Sequence, residues 1–160
     1  MGMNWAELCD NPKFQDLPFK IELNRAGQII MSPTKNTHGY YAARIARLMG
    51  DLMGSGETFV ELAIETEDST KVADAAWASD QTFKIIKNQI SCSVAPEICV
   101  EVRSPGNSKA EIAFKRDLYL KAGAKEYWVC DLTGRMEFFD GSGKISKSPL
   151  CPKFPDALES

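Results

Sequence analysis

The stretch from Ala95 to Leu132 constrains the fold more than any other part of the chain. In Ala95–Arg103 (APEICVEVR), Ile98, Val100 and Val102 alternate with Glu97, Cys99, Glu101 and Arg103. That is the period-two pattern of a strand with one apolar face and one face carrying Glu101 and Arg103. Ser104-Pro105-Gly106-Asn107 breaks the strand, and Ser108-x-x-Glu111 is a capping box that opens a helix. The helix ends at Ala122-Gly123, with glycine in the C-cap role. Glu126–Leu132 (EYWVCDL) follows as another buried strand. A strand, a helix and a strand in succession require a sheet with a helix packed on it.

The remaining segments extend this plan. Phe19–Met31 reads as two short strands turning at Asn24-Arg25-Ala26-Gly27, where Gly27 supplies a positive φ, and Ser32-Pro33 closes the hairpin. Thr37–Met53 is a helix capped by Asn36 or Thr37, with Tyr41, Ile45, Leu48, Met49 and Leu52 on its apolar stripe and His38, Arg44 and Arg47 off it. Gly54-Ser55-Gly56 ends that helix. Strand-like runs at Thr58–Glu65 and Lys71–Ala78 flank a polar turn at Glu67-Asp68-Ser69. A further hairpin follows, with Thr133-Gly134 leading into Arg135–Phe139 and Asp140-Gly141-Ser142-Gly143 turning back. The segment up to Pro18 reads as an entry segment, and Pro149, Pro152 and Pro155 argue against regular structure in the tail. The expected architecture is a single mixed α/β (α+β) domain over residues 1–160, its central sheet covered by helices, with N- and C-terminal β-hairpins.

Composition excludes several classes of function. Of the 160 residues, 44% are hydrophobic and 26% charged, a globular mix long enough to bury its own core. No run approaches the roughly 18 apolar residues of a membrane span. The opening Met1-Gly2-Met3-Asn4-Trp5-Ala6 has neither a basic-then-apolar leader nor a myristoylation pattern, so a cytoplasmic location is expected. A net charge of −3 argues against nucleic-acid binding by bulk electrostatics, though not against a local basic cleft. Five scattered cysteines without C-x-x-C, and His38 as the only histidine, leave little for a structural zinc site. No P-loop, G-x-G-x-x-G or G-x-S-x-G occurs, and a nucleophilic triad would have to rely on His38 alone.

What remains is acidic chemistry. Asp74 lies in the apolar run Val72-Ala73-Asp74-Ala75-Ala76-Trp77, and Glu101 lies in the strong strand. Carboxylates among buried apolar neighbours must be paired, hydrogen-bonded or bound to a cation. Two of them brought together repel, and a hard divalent cation relieves that repulsion while leaving positions for water and a phosphate oxygen. Arg103, two residues beyond Glu101, and Lys115 on the next helix supply positive charge suited to phosphodiester hydrolysis. The same pattern also fits an Asp74 facing water from an edge strand and an ordinary Glu101–Arg103 ion pair.

Pro96-Glu97-Ile98-Cys99-Val100-Glu101-Val102-Arg103-Ser104-Pro105, followed by Lys115-Arg116-Asp117-Leu118-Tyr119-Leu120-Lys121-Ala122-Gly123-Ala124-Lys125-Glu126-Tyr127-Trp128-Val129, resembles the Uma-type family of restriction endonucleases in the PD-(D/E)XK superfamily. Glu22 in IELN, Met31-Ser32-Pro33 and His38 resemble the opening of that family, so the likeness runs over about residues 19–140. It implies a restriction-endonuclease-like mixed sheet flanked by helices and a site for Mg²⁺ or Mn²⁺. By this resemblance Asp74 and Glu101 match the metal-binding carboxylates, and Lys115 matches a lysine that replaces the one in E-x-K. Glu22 matches a further acidic position, and His38 a weaker one near phosphate. The implied substrate is DNA, and a homodimer is expected because two sites related by a two-fold axis cut both strands most simply. Three departures stand out. Ala73 replaces the proline before the aspartate. Arg103 occupies the E-x-K lysine position and can hold phosphate but not exchange a proton near neutral pH. Glu111, one turn before Lys115, can pair with that lysine. These departures keep open a second expectation, an inactive nuclease-fold module that binds DNA or protein. A self-associating domain with an exposed strand at Arg135–Phe139 is a third.

Overall fold

The computed structural model describes residues 2–158. Its centre is a six-stranded mixed sheet of β3 (Glu57–Thr66), β4 (Ser69–Ala78), β5 (Ile98–Val102), β6 (Glu126–Cys130), β7 (Met136–Asp140) and β8 (Gly143–Ile145), in that spatial order. All neighbours are antiparallel except β5 and β6, which run parallel. Parallel neighbours need a crossover, and α4 (Lys109–Lys121) provides it. The capping box expected at its start is half present: Ser108 Oγ accepts from Glu111 N, while the Glu111 carboxylate turns to Asn107. Gly123 follows the Ala122 C-cap with φ of 119°, and a Cβ there would come within 3.0 Å of Val94.

β5 differs from its expected half-polar pattern. All five of its residues are buried, because helices cover both faces of this central strand. The face carrying Ile98, Val100 and Val102 packs with Ile45 and Met49 of α2 (Asn36–Met53) and with Trp128. The opposite face, with Cys99, meets Tyr119 of α4 and Tyr127. The N-cap of α2 is Lys35 rather than Asn36 or Thr37, and no side chain caps it. His38, off the expected stripe, is nonetheless buried.

A separate two-stranded sheet of β1 (Phe19–Leu23) and β2 (Ile29–Pro33) forms the expected N-terminal hairpin, and Gly27 at its turn has φ of 76°. Only Glu22 and Leu23 are buried in its two strands. Polar bonds fasten it to β4: Glu22 Oε2 accepts from Val72 N at 2.7 Å, and Lys71 Nζ donates to Leu23 O at 2.7 Å. Two short helices went unexpected: α1 (Trp5–Asp10), boxed by Asn4 and Glu7, and α3 (Asp80–Ile86), capped by Ser79.

Among the described residues the tail has no helix or strand beyond β8, yet it is firmly docked. Leu158 N donates to Gly134 O and Met136 N to Asp156 O, both at 2.7 Å. Phe154 packs against Trp128 with ring centroids 4.6 Å apart. β7 lies between β6 and β8, so the strand expected to expose an edge is an internal one, and Phe138 is buried edge-on against Trp128.

Candidate active site

Five side chains from four elements meet beside a cleft of about 350 Å³; Lys20, Glu22, Glu101 and Lys115 line it, and Asp74 lines an adjoining cleft that shares Lys20. Asp74 comes from β4, Glu101 from β5, Lys115 from α4, and Glu22 with Lys20 from β1. The β4–β5 ladder runs through Ala75 and Val100, and beyond it the Asp74 carboxylate takes over a strand amide, Oδ2 accepting from Val102 N at 2.7 Å. This bond fixes Asp74 beside Glu101. On β1, period-two alternation puts Lys20 and Glu22 on one face, and that face is turned to the carboxylates.

Lys20 is the centre of the arrangement. Its Nζ lies 2.9 Å from Glu101 Oε2, 3.1 Å from Asp74 Oδ1 and 3.9 Å from Glu22 Oε2. Lys115 Nζ bridges Glu22 Oε2 at 2.7 Å and Glu101 Oε1 at 3.0 Å. Tyr119 donates its hydroxyl to the same Oε1 at 3.0 Å, and His38 Nε2 donates to Asp74 Oδ2 at 3.2 Å. The resemblance-based residues Glu22, His38, Asp74, Glu101 and Lys115 are therefore together. Arg103 is not. β5 ends at Val102, so strand alternation does not carry over to Arg103, which donates to Asn107 O at 3.4 Å and lines another cleft. Glu111 bonds Asn107 rather than Lys115.

Lys20 and Tyr119 escaped the sequence reading. Signals for both exist: Lys20 stands two residues before Glu22, and Tyr119 stands one helical turn after Lys115.

The electrostatics follow from burial and charge count. Three nearly buried carboxylates face two ammonium groups. Burial and the neighbouring Asp74 push Glu101 up to about 7, against the pull of Lys115 and Lys20. Asp74 is held well below the ordinary aspartate range; burial opposes this, and Lys20 and the His38 hydrogen bond outweigh it. Glu22 is likewise lowered, because Lys20, Lys115 and Val72 N outweigh its burial. Lys20 is raised by the three carboxylates around it despite burial, so it stays charged. The cluster is one positive charge short, and Glu101 carries the deficit.

An all-oxygen donor set short of positive charge fits a hard divalent cation. The Lys20 ammonium already occupies the point where Asp74 and Glu101 converge. Among the described residues, no three His, Cys, Asp or Glu side chains surround an open point as ligands would.

The family described as "Uma2: Putative restriction endonuclease" matches residues 9–139. The chain belongs to the Uma2 family. Among solved structures, a "putative nuclease belonging to DUF820" from Anabaena variabilis ATCC 29413 shares the Uma2 chain's fold, with a TM-score of 0.70 at 16% sequence identity. The alignment covers 97% of this chain and 94% of that one. No curated protein sequence matches. The restriction-endonuclease-like fold expected of a Uma2 chain is thus present, as a six-stranded mixed sheet flanked by helices and an N-terminal hairpin. Among the described residues, no helix is long and apolar enough to cross a membrane.

Proposed function

We propose that this protein is a Mg²⁺- or Mn²⁺-dependent endonuclease that hydrolyses phosphodiester bonds in DNA. The observation that carries this reading is the convergence of Glu22, Asp74 and Glu101 on a single cation, the Lys20 ammonium, which lines one cleft with Glu22 and Glu101 and an adjoining one with Asp74. Asp74 Oδ1 and Glu101 Oε2, the oxygens Lys20 now occupies, would hold the metal, with Glu22 assisting directly or through water. When bound, such an ion polarises a phosphate oxygen and lowers the pKa of water.

The chain's own residues do the rest. His38 and Val102 N fix Oδ2 of Asp74, leaving Oδ1 facing Lys20. Tyr119 and Lys115 likewise fix Oε1 of Glu101 and leave Oε2 facing Lys20. Lys20 and Lys115, both on the cleft wall, offset the charge that builds on phosphate oxygens during displacement. Arg103 has no part in this step. A two-fold dimer would place two such sites on opposite strands of a duplex.

The same lysine favours a second reading, a nuclease-fold module whose carboxylates are permanently ion-paired. Mn²⁺ calorimetry on the wild type and on Asp74→Ala/Glu101→Ala separates the two. Saturable binding lost in the variant, with Mg²⁺-dependent nicking of supercoiled DNA, supports the enzyme; no binding in either protein refutes it.

A further inference from the structure

α4 separates the carboxylate cleft from a second cleft of about 300 Å³, and Ile112 lines both. The second cleft is basic. Arg103 reaches it from the end of β5, Lys109 from the first residue of α4 and Arg116 from two turns further on. Among the described residues, Arg103 and Lys109 make no ion pair, and Arg116 has only a 3.7 Å approach to Asp117. The Arg116 guanidinium rests over the Phe139 ring, 5.2 Å from its centroid, which holds it at the cleft. The one carboxylate on the lining, Glu137, lies 3.0 Å from Lys144 and is already matched.

An independent observation comes from Tyr127 of β6, which also lines this cleft. It is fully buried, and its hydroxyl has no hydrogen-bond partner among the described residues. A buried donor without an acceptor is costly, and native folds rarely tolerate one unless something else completes it. Burial and the nearby Glu101 and Asp74 push this phenol well above its ordinary range, so it remains an O–H donor. Three under-paired cations and one orphaned donor around a small cavity call for an anion with several acceptor oxygens.

We infer that this cleft binds a backbone phosphate of a nucleic-acid strand whose neighbouring phosphodiester lies in the carboxylate cleft; the identity of the strand rests on the nuclease reading. Phosphates recur along a strand, and the two clefts adjoin across one side chain, Ile112. Arg103 thereby regains a role in substrate binding, at a site apart from the carboxylates.

The test is fluorescence anisotropy with a labelled short duplex DNA in EDTA at 50 and 200 mM salt. It compares the wild type with Arg103→Gln/Lys109→Gln/Arg116→Gln and with a charge-matched control, Lys84→Gln/Lys87→Gln/Lys153→Gln. The cleft variant should bind about tenfold more weakly, with a salt slope smaller by about one, while the control stays within about threefold of wild type. Tyr127→Phe should weaken binding about threefold with no loss of thermal stability, which a purely structural hydroxyl would not do. Equal affinities for wild type and cleft variant, an equal loss in the control, or no binding by the wild type would each overturn the inference. Mn²⁺ calorimetry on the same proteins reads the carboxylates separately. Normal Mn²⁺ binding with unchanged DNA affinity sinks the phosphate cleft alone, whereas a cleft-dependent DNA affinity without Mn²⁺ binding sinks the nuclease reading alone.

Discussion

Replacing Glu101 by glutamine should flatten the protein's pH–stability curve between pH 5 and 8. Glu101 sits at about 7 in the folded chain against an ordinary value of 4.5, raised by burial and by Asp74. A carboxyl raised by folding binds its proton more tightly in the native state. Its contribution is therefore fully present below the unfolded value and disappears as pH climbs through the folded one. The whole shift is worth roughly 3 kcal/mol, most of which falls between pH 5 and pH 8. Asp74 and Glu22 are lowered, so their stabilisation is lost only as pH falls below the ordinary carboxylate range, outside this window. The carbonyl oxygen of the introduced amide would still accept from Lys115 and Tyr119, but its NH₂ group would turn toward Lys20 Nζ, which now lies 2.9 Å from Oε2 of Glu101. That clash of donors adds a constant cost, so the slope is the quantity to read. Urea unfolding of both proteins at pH 5, 6, 7 and 8 gives it directly. The wild type should lose about 2 to 3 kcal/mol over the series relative to Glu101→Gln. Parallel curves would refute the charge-deficit account of the cluster.

Three further outcomes follow from the same geometry. Lys20→Met removes the ammonium competing for Asp74 and Glu101, so Mn²⁺ should bind at least about tenfold tighter by calorimetry while DNA cleavage slows. Tyr119→Phe, which deletes the 3.0 Å bond to Glu101, should cost about 1.5 to 3 kcal/mol in urea unfolding at pH 8, where Glu101 is ionised, and less at pH 5. Phe154→Ala empties the space against Trp128 and should cost about 3 to 5 kcal/mol, seen as a lower midpoint in thermal unfolding followed by tryptophan fluorescence.

How much of this was legible depended on whether the signal was local. The β5–α4–β6 unit was readable because alternation, the Ser108 cap and Gly123 all lie within its own sequence. The hairpin turn was readable from Gly27 for the same reason. Asp74 and Glu101 stood out as charges in apolar runs and Lys115 as a cation on the helix that follows, while Glu22 and His38 emerged only through family resemblance. For Lys20 the sole local signal was its place two residues before Glu22, because its partners lie 54 and 81 residues away and nothing local fixes how β1 meets β4. Arg103 was misplaced because alternation was extended one residue past the end of β5. The short α3 lacks enough residues to show a period, and the tail's Phe154 and Leu158 are isolated apolar residues whose burial is purely tertiary.

The β1–β2 hairpin shares no backbone ladder with the main sheet and buries little apolar surface of its own. Its attachment is largely polar, through the ion pairs and hydrogen bonds of Lys20, Glu22 and Leu23 O and the bonds from Arg25 to Asp68 and Glu67 O. The contacts that set the charge of the site are thus also part of its mechanical fastening. Any ligand that draws Lys20 off the carboxylates must loosen the hairpin as it binds. Occupancy of the site then becomes readable at a distance, in the rate at which the backbone amides of residues 19–33 exchange with solvent.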